Sequence, residues 1–535
     1  MIKRVIIHNF KGIKEGDVTF NSYKNVIVGN NGVGKSTLIE AVSLTMGYGL
    51  NKLEVTPHLF HVDCVKHFVD TKELPEITIE VILSGEKDEY SGTNNTLHQH
   101  LRGLQLKICF DEAYEELFEA EKETCTQIPC EYYKIQRFWF SDVAVKQQLM
   151  PCNVLLVDSS STYFNASSNQ YIASLLKKYM GNDDLVKMQS SLRHLREYFE
   201  GDNNIGEINQ KLGLSMENLK VSIDVTSNIV LRNILCPYWE DIPISQIGEG
   251  DLCILKTLLS IDKLHLNDKD KIVIIEEPET HLSHSKMYEL IRKIEENVQE
   301  GKTQLIITTH NSFVANKLDL SNLLLLDNDK GTMKVKKIDS QEKELYSFFT
   351  KISNYPTLRL VLCKSAILVE GPTDEMVVTY YYKKKYNKHP FDDGIELISV
   401  EGIKFKQFVE LAKSFGKKIA VITDNDGMPY NQVLNQRGLR DLPDNIRMFT
   451  EQDITLKTIE PSFVARNESM LQELASVVRE RKIYVETKEA LTEFMIKNKT
   501  EWAYRLLMKA DFANFEVPQY ILNAIDWLLD ACNEK

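Results

Sequence analysis

The sequence predicts an α/β fold with two consecutive domains, and three observations support this class. Segments of strand-like composition alternate with segments of helical periodicity in two separate series along the 535 residues. The composition, with 43% apolar and 26% charged residues, suffices for large cores and excludes a disordered or fibrous chain. A charged and aromatic helical stretch at 340–362 separates the two series. We therefore place the first domain at residues 1–350 and the second at residues 351–535.

The first series begins with strands and is interrupted by a long helical segment. Apolar residues such as Ile172, Leu175, Leu176 and Tyr179 recur at helical spacing, so we expect a helical insertion at about 165–225. A helix is predicted at 36–44. The predicted strands are 4–8, 18–20, 25–29, 76–83, 104–110, 271–275, 304–307 and 323–326, followed by a hairpin that ends near residue 338.

The second series alternates strands and helices more regularly. Since strands that alternate with helices are joined by crossovers, we expect parallel sheets in both domains. Mostly helical sequence follows from residue 461 onward. The predicted elements before it are strand 366–369, helix 374–385, strand 395–400, helix 405–415 and strand 418–423.

Charge and cysteine content restrict the class of protein further. The net charge of −13 argues against a protein that coats nucleic acid through bulk positive charge, but leaves open a local basic groove or a bound metal. Nine cysteines, an odd number spread over a long chain, predict reduced thiols and a cytoplasmic location. The apolar runs are too short for a membrane span, and the first residues lack the apolar core of a signal peptide. We therefore expect no membrane partner.

A glycine-rich loop in the first domain predicts a nucleotide site. Residues 29–36 read GNNGVGKS and fit the phosphate-binding pattern G-x-x-x-x-G-K-[ST], with a predicted strand before the loop and a helix after it. Loop N–H groups and the helix N-terminus would bind the phosphates of ATP, while Lys35 would reach the β- and γ-phosphates and Ser36 would ligate Mg²⁺. The candidate ATP-binding residues are Gly29, Asn30, Asn31, Gly32, Gly34, Lys35, Ser36 and Thr37.

Two later strand ends of the first domain carry residues suited to ATP hydrolysis. The apolar strand 272–275 precedes Glu276, which we assign to Mg²⁺ binding, and Glu277, which we assign to orienting the attacking water. The next buried strand is followed by His310, which we expect near the γ-phosphate. A histidine at a strand end is also compatible with a simple cap, but the carboxylate-ended strand before it favours the catalytic interpretation.

Carboxylates follow two strands of the second domain. Glu370 and Asp374 come after strand 366–369, and Asp424 and Asp426 come after strand 418–423. In a parallel sheet both strand ends open on the same edge, where ligands bind. Four carboxylates there would repel one another unless divalent cations neutralise them, and oxygen ligands favour Mg²⁺ or Mn²⁺ over zinc. For the segment 424–427 taken alone, a polar strand-to-helix turn is the alternative.

The motifs of the first domain resemble those of the ABC-type ATPase heads found in RecF and SMC proteins. This resemblance implies that a signature loop from one head completes the ATP site of another, so that a dimer is the minimum assembly. The best match to that loop is the segment 247–251, IGEGD, which departs from the usual S-G-G-[EQ] form. It retains Gly248 and Gly250, which the resemblance makes candidate nucleotide contacts.

The E-G-x-x-D and D-x-D motifs of the second domain resemble the Toprim fold of topoisomerases, primases and some nucleases. An ABC-type head followed by such a domain is similar to the OLD (overcoming lysogenization defect) family of ATP-dependent nucleases, which includes the nuclease subunit of the Gabija anti-phage system. The resemblance implies a further acidic metal ligand, for which Glu460 fits. It also implies a catalytic lysine, for which Lys499 fits best and Lys497 is the alternative, and a defence role beside a helicase-like partner.

These patterns lead to one main hypothesis and two alternatives. The main hypothesis is an ATP-binding, Mg²⁺- or Mn²⁺-dependent endonuclease that hydrolyses phosphodiester bonds in DNA. One alternative is an ATP-driven switch whose Toprim-like domain binds partners or nucleic acid without cleaving it. The other is a nuclease that cleaves RNA. The candidate residues for cleavage are Glu370, Asp374, Asp424, Asp426 and Glu460, assisted by Lys499.

Overall fold

The structure is a computed structural model in which the chain forms two compact units. The first comprises Met1–His310 with Leu326–Val335, and the second comprises Asn311–Leu325 with Lys336–Lys535. The predicted boundary at residue 350 and the predicted insertion at 165–225 stay predictions, and residues 165–181, 216–219 and 224–225 of that insertion lie outside the described residues. The structure describes residues 1–47, 50, 53–86, 88–146, 150–158, 182–215, 220–223, 238–239, 241–261, 270–280, 282–298, 300–337, 343–351, 355–402, 404–479, 487–509 and 514–530.

A mixed sheet forms the centre of the first unit. Its described strands form a 12-stranded sheet in the order β5-β6-β4-β1-β2-β14-β13-β3-β12-β11-β8, with β7 beside β6, while β9 and β10 form a separate pair. The strands are β1 (Ile2–Phe10), β2 (Ile13–Thr19), β3 (Lys24–Val28), β4 (Ile77–Leu83), β5 (Ser91–Gly92), β6 (Leu101–Phe110), β7 (Tyr133–Trp139), β8 (Cys152–Asp158), β9 (Tyr238–Trp239), β10 (Ile242–Pro243), β11 (Asp270–Glu276), β12 (Thr303–Thr308), β13 (Leu323–Asp329) and β14 (Thr332–Lys337).

One part of this sheet is parallel and another part is antiparallel. The strands β3, β12, β11 and β8 pair in parallel, and the apolar residues 272–275 of β11 are fully buried among them. By contrast, β1 pairs antiparallel with β2 and β4. The expectation of parallel sheets therefore holds for these four strands of the first unit but not for the pairing of β1 with β2 and β4. The reason is the connection between β1 and β2, because Lys11 and Gly12 suffice for a hairpin but not for the crossover that parallel strands require.

Helices of the first unit follow several of these strands. The first of them begins directly after the glycine-rich loop and buries Leu38 and Val42. Two further helices lie in the region that periodicity predicts to be helical. The described helices are α1 (Lys35–Thr45), α2 (Val62–Thr71), α3 (Glu115–Glu121), α4 (Asn182–Gly201), α5 (Asn203–Ser215), α6 (Glu249–Ile261) and α7 (His284–Asn297).

The second unit contains a smaller sheet in which every pairing is parallel. The order is β16-β15-β17-β18, with β15 (Ser365–Val369), β16 (Ile395–Ser399), β17 (Lys418–Ile422) and β18 (Ile446–Phe449). The predicted α/β class is confirmed. The helices are α8 (Ser312–Lys317), α9 (Lys343–Lys351), α10 (Thr357–Leu362), α11 (Pro372–Tyr386), α12 (Phe405–Phe415), α13 (Tyr430–Gln436), α14 (Ile459–Arg466), α15 (Leu471–Val478), α16 (Lys488–Lys497), α17 (Lys499–Met508) and α18 (Gln519–Asp530).

Large aromatic side chains fix the helices that surround this second sheet. Phe463 of α14 and Trp502 of α17 are fully buried, and their ring centroids are 5.3 Å apart. Tyr380 of α11 is also buried, and its hydroxyl donates to the carbonyl oxygen of Phe515 at 3.3 Å. This packing holds helices α11 and α14, whose first turns carry two of the predicted carboxylates. None of the described helices is long and apolar enough to cross a bilayer.

Candidate nucleotide and metal sites

The predicted phosphate-binding loop connects β3 to α1. Gly32 and Gly34 have φ values of 81° and 99°, which glycine adopts without steric cost. A Cβ atom at Gly29 would lie 2.7 Å from the carbonyl oxygen of Leu326, so no side chain fits there. The loop therefore needs its glycines, and it ends where α1 begins with N–H groups that have no partner within the helix.

Lys35 lies against this loop. Its side chain is buried, and Nζ donates to the carbonyl oxygens of Gly29 at 2.9 Å and Asn30 at 3.1 Å. Burial lowers the pKa of Lys35, while the nearby carboxylates of Glu277 and Glu276 act in the opposite direction. The lysine is thus placed among the groups that the sequence assigns to phosphate and Mg²⁺ binding.

Two parallel strand ends bring further predicted residues to the loop. Glu276 of β11 is in register with Thr308 of β12. Glu277 has a φ of 42°, and its Oε1 lies 3.1 Å from Nε2 of His310. The backbone N–H of His310 donates to Oε1 of Glu279 at 2.7 Å. A cavity of about 280 Å³ is lined by Asn31, Gly32, Gly34, Lys35, Ser36, Thr37, Glu277 and His310.

The predicted signature-loop glycines are placed elsewhere in the first unit. Gly248 precedes α6, and Gly250 lies in the first turn of that helix. Neither glycine is among the residues that line the cavity beside Lys35. A Cβ atom at Gly248 would meet nothing within 4 Å. Their role at the nucleotide site of a second copy stays a prediction.

The carboxylates of the second unit gather at the carboxyl edge of its sheet. Glu370 follows β15, and its Oε1 accepts hydrogen bonds from the hydroxyl of Thr423 and from the N–H of Asp424, the latter at 3.1 Å. Asp374 lies in the first turn of α11 and Glu460 in the first turn of α14, and both are buried. The structure therefore brings together Glu370, Asp374 and Asp424, which the two strand ends predict, and Glu460, which the family resemblance implies.

Burial and mutual repulsion change the protonation of two of these groups. Burial raises the pKa of Asp424 to about 9, with further contributions from the charges of Asp374, Glu370, Glu460 and Asp426. Burial also raises the pKa of Asp374 to about 7, assisted by the charges of Glu370 and Glu460. Such shifts are frequent where charged groups are assembled for function. Full ionisation of all the carboxylates is therefore unfavourable at this buried position.

Two residues that sequence reasoning missed organise this edge. Arg437, at the end of α13, donates from Nη2 to Oε1 of Glu370 at 2.7 Å and to Oδ2 of Asp426 at 2.9 Å. Asn425 is fully buried, and its Oδ1 accepts from the N–H of Gly427 at 2.8 Å. No sequence signal marks the arginine, since it follows an ordinary short helix. Asn425 stands inside the D-x-D motif, so its position beside two candidate metal ligands was a usable signal.

The donor set of the cluster fits a hard divalent cation, although the side chains are not arranged around one. Oδ1 of Asp424 is buried and has no hydrogen-bond partner. Carboxylate oxygens are the ligands that Mg²⁺ and Mn²⁺ prefer. Within the described residues, no three His, Cys, Asp or Glu side chains converge closely enough to hold a metal as they stand. Arg437 lies between Glu370 and Asp426 and donates to both. The expectation that only divalent cations neutralise these carboxylates is therefore incomplete.

The two candidate lysines are not part of this arrangement. Lys499 begins α17 and is exposed, and no ion pair or hydrogen bond in the described part of the chain joins it to the carboxylates. Lys497 forms an exposed ion pair with Glu493, at 2.6 Å between Nζ and Oε1. The catalytic role of Lys499, and the choice between the two, stay predictions.

Two family models match the chain. The AAA ATPase domain model matches residues 1–136 and 155–315, together more than half of the chain. The model of the TOPRIM domain of overcoming lysogenization defect protein-like sequences matches residues 361–426. The fold and the two sites thus define an ATPase domain joined to a Toprim domain. The chain belongs to the OLD family of ATPase–Toprim proteins.

Relatives of known sequence or structure match parts of the chain. It is 25% identical over 358 residues to an ATP/GTP phosphatase of Helicobacter pylori, covering 60% of this chain and 88% of the relative. It is 27% identical over 253 residues to the endonuclease GajA of Bacillus cereus, covering 40% of this chain but only 36% of the relative. The structure of the C-terminal region of the Burkholderia pseudomallei OLD protein matches at 17% identity with a TM-score of 0.25, and the match covers 32% of this chain and 98% of that structure.

Proposed function

We propose that this protein is a Mg²⁺- or Mn²⁺-dependent endonuclease that cleaves DNA at its Toprim carboxylates, and that its ATPase domain regulates cleavage. The observation that carries this proposal is the environment of Asp424. Its buried Oδ1 lacks a partner, and it lies beside Glu370, Asp374 and Glu460 at the carboxyl edge of a parallel sheet. Burying an unpaired carboxylate costs free energy, and a bound cation removes that cost. The similarity to an endonuclease over part of the chain supports the same activity.

The carboxylates divide by position into two groups. Oδ1 of Asp424 has no hydrogen-bond partner, and Asp374 and Glu460 lie beside that residue. Glu370 and Asp426 are the pair that Arg437 contacts. When bound, Mg²⁺ would polarise the phosphate and lower the pKa of an attacking water. The chain itself fixes the direction of these oxygens through the first turns of α11 and α14. Lys499 is predicted to stabilise charge on the phosphate.

The proposed regulation of cleavage depends on ATP binding and hydrolysis at the nucleotide site. Lys35 and the loop amides bind the phosphates of ATP, while Ser36 and Glu276 are the Mg²⁺ ligands. Glu277 orients the attacking water, and its contact with His310 fixes the carboxylate beside the cavity. We expect Gly248 and Gly250 of a second copy to complete the ATP-binding site. The active form is then at least a dimer. A cytoplasmic role in phage defence with a helicase-like partner follows from the family resemblance.

A cleavage assay that crosses metal, nucleotide and substrate tests this function. Supercoiled plasmid, linear duplex DNA and single-stranded RNA are each incubated with Mg²⁺, Mn²⁺ or EDTA, with and without ATP. We expect metal-dependent cleavage of DNA, and Asp424→Asn should slow it by ~10²-fold or more. The matched control is Asp444→Asn, which changes an exposed carboxylate in the turn before β18 and should cleave like wild type.

Other outcomes of this assay would contradict the proposal. Cleavage of RNA without cleavage of DNA would favour a ribonuclease. ATP hydrolysis without cleavage of either substrate under any condition would favour the ATP-driven switch. If Asp424→Asn cleaves as fast as Asp444→Asn, the carboxylate edge is not the catalytic site.

A further inference from the structure

A buried arginine lies inside the carboxylate cluster. The side chain of Arg437 is only 2% exposed, although arginine is normally a surface residue. Its Nε donates to the hydroxyl of Thr423 at 3.0 Å, and its Nη2 is shared between Glu370 and Asp426. One guanidinium thus joins the loop after β15 to the loop after β17.

The guanidinium of Arg437 provides positive charge within the carboxylate cluster. Among the described residues, Arg437 is the Lys, Arg or His side chain that forms ion pairs with these carboxylates. A buried ion pair is stable only when its hydrogen bonds are satisfied, and removal of one partner leaves an uncompensated charge. Arg437 therefore keeps Glu370 and Asp426 close together without any metal.

The same contact conflicts with metal binding at these two residues. Oε1 of Glu370 already accepts hydrogen bonds from Thr423, from the N–H of Asp424 and from Arg437, so this oxygen has no lone pair left for a metal. Mg²⁺ and Mn²⁺ need oxygen ligands at about 2.1 Å in near-octahedral geometry. A cation between Glu370 and Asp426 would occupy the space of the guanidinium, and the two positive charges would repel each other at short range.

We infer that Arg437 is an internal counter-cation that competes with the divalent metal for Glu370 and Asp426 and thereby sets the metal affinity of the Toprim site. The inference rests on the proposed function, because it requires that the cluster binds metal. A metal ion that also takes Glu370 or Asp426 as a ligand requires the guanidinium to release that carboxylate. Arg437 is accordingly a positioning residue, and its effect is on metal affinity before any effect on cleavage.

Titration of Mn²⁺ alone, without nucleotide or nucleic acid, tests the inference on the full chain. Binding is followed by the electron paramagnetic resonance signal of free Mn²⁺ and by calorimetry. Arg437→Gln removes the competing charge and should bind Mn²⁺ about tenfold more tightly than wild type. Arg437→Lys retains the charge but lacks the planar fork that spans two carboxylates, so it should show a smaller gain.

Two controls accompany the titration. Arg440→Gln changes an exposed arginine three residues further on, whose Nε donates to Oδ1 of Asn435, and should leave Mn²⁺ affinity unchanged. In EDTA, Arg437→Gln should also melt at a lower temperature than wild type, and Mn²⁺ should raise its melting temperature by more. A purely structural arginine would lower the melting temperature without tightening Mn²⁺ binding.

The outcomes separate this inference from the proposed function. If wild type binds Mn²⁺, Asp424→Asn abolishes that binding and Arg437→Gln binds no more tightly than wild type, competition by Arg437 is wrong while the metal site stands. If wild type binds no Mn²⁺ at the cluster, both the proposed function and the inference about Arg437 are wrong. If Arg437→Gln does not fold, the Mn²⁺ affinity of Arg437→Lys is the test. An affinity equal to or below that of wild type overturns the inference.

Discussion

Replacing Asn425 with alanine tests how the chain holds the loop that carries Asp424. The Asn425 side chain is fully buried. Its Nδ2 donates to the carbonyl oxygens of Glu451 at 3.0 Å and Asp453 at 2.9 Å, and its Oδ1 accepts from the N–H of Gly427 at 2.8 Å. Alanine removes all three hydrogen bonds and leaves their partners to find water. We therefore expect loss of stability and loss of alignment in the same variant.

The expected size follows from the number of bonds. Three hydrogen bonds at about 1 kcal/mol each give a loss of about 3 kcal/mol in the free energy of unfolding. Because the loop also aligns metal ligands, Mn²⁺ affinity should fall by about 10- to 100-fold. Asn425→Asp keeps the acceptor but loses both donated bonds and adds negative charge, so it should be at least as unstable as Asn425→Ala.

Calorimetric unfolding in EDTA and titration with Mn²⁺ measure the two effects. The matched control is Asn431→Ala, which makes the same chemical change at an exposed position in the first turn of α13. The reasoning is refuted if Asn425→Ala unfolds within about 0.5 kcal/mol of Asn431→Ala and binds Mn²⁺ with wild-type affinity.

Other perturbations separate the two sites. Glu277→Gln should slow ATP hydrolysis by ~10²-fold or more while a fluorescent ATP analogue still binds, and lost binding would argue against its assigned role. Gly29→Ala places a Cβ atom 2.7 Å from the Leu326 carbonyl oxygen and should abolish binding of the same analogue, so normal binding would contradict the loop geometry. The raised pKa values of Asp374, about 7, and Asp424, about 9, mean that metal must displace protons. Mn²⁺ affinity should therefore rise with pH between about 6 and 9, and a pH-independent affinity would contradict the shifts.

The main parts of both sites could be predicted because their signals are local. Glu370 and Asp424 each follow a short apolar run, and such runs end as buried strands whose carboxyl ends share an edge. The loop before Lys35 has a fixed spacing of glycines and lysine. In these cases a few neighbouring residues determine the backbone, and the backbone determines where the side chains lie.

Features that depend on distant contacts escaped prediction. Arg437 follows a seven-residue helix that looks solvated, and its burial depends on the loops that carry Glu370 and Asp426. Strand β18 is only four residues long and is defined mainly by its pairing with β17. The antiparallel pairing of β1 with β2 was not predicted because the sequence placed these strands at 4–8 and 18–20. In the structure both strands extend towards each other, and only Lys11 and Gly12 connect them as a hairpin.

Anomalous X-ray scattering from crystals soaked in Mn²⁺ would test most directly the claim that the Toprim carboxylates hold the catalytic cation. We expect a Mn²⁺ peak within ligand distance, about 2.2 Å, of Oδ1 of Asp424 and of an oxygen of Asp374 or Glu460. The peak should be absent from Asp424→Asn crystals and present in Asp444→Asn crystals. A fully soaked wild-type crystal with no Mn²⁺ at Asp424 would contradict the account.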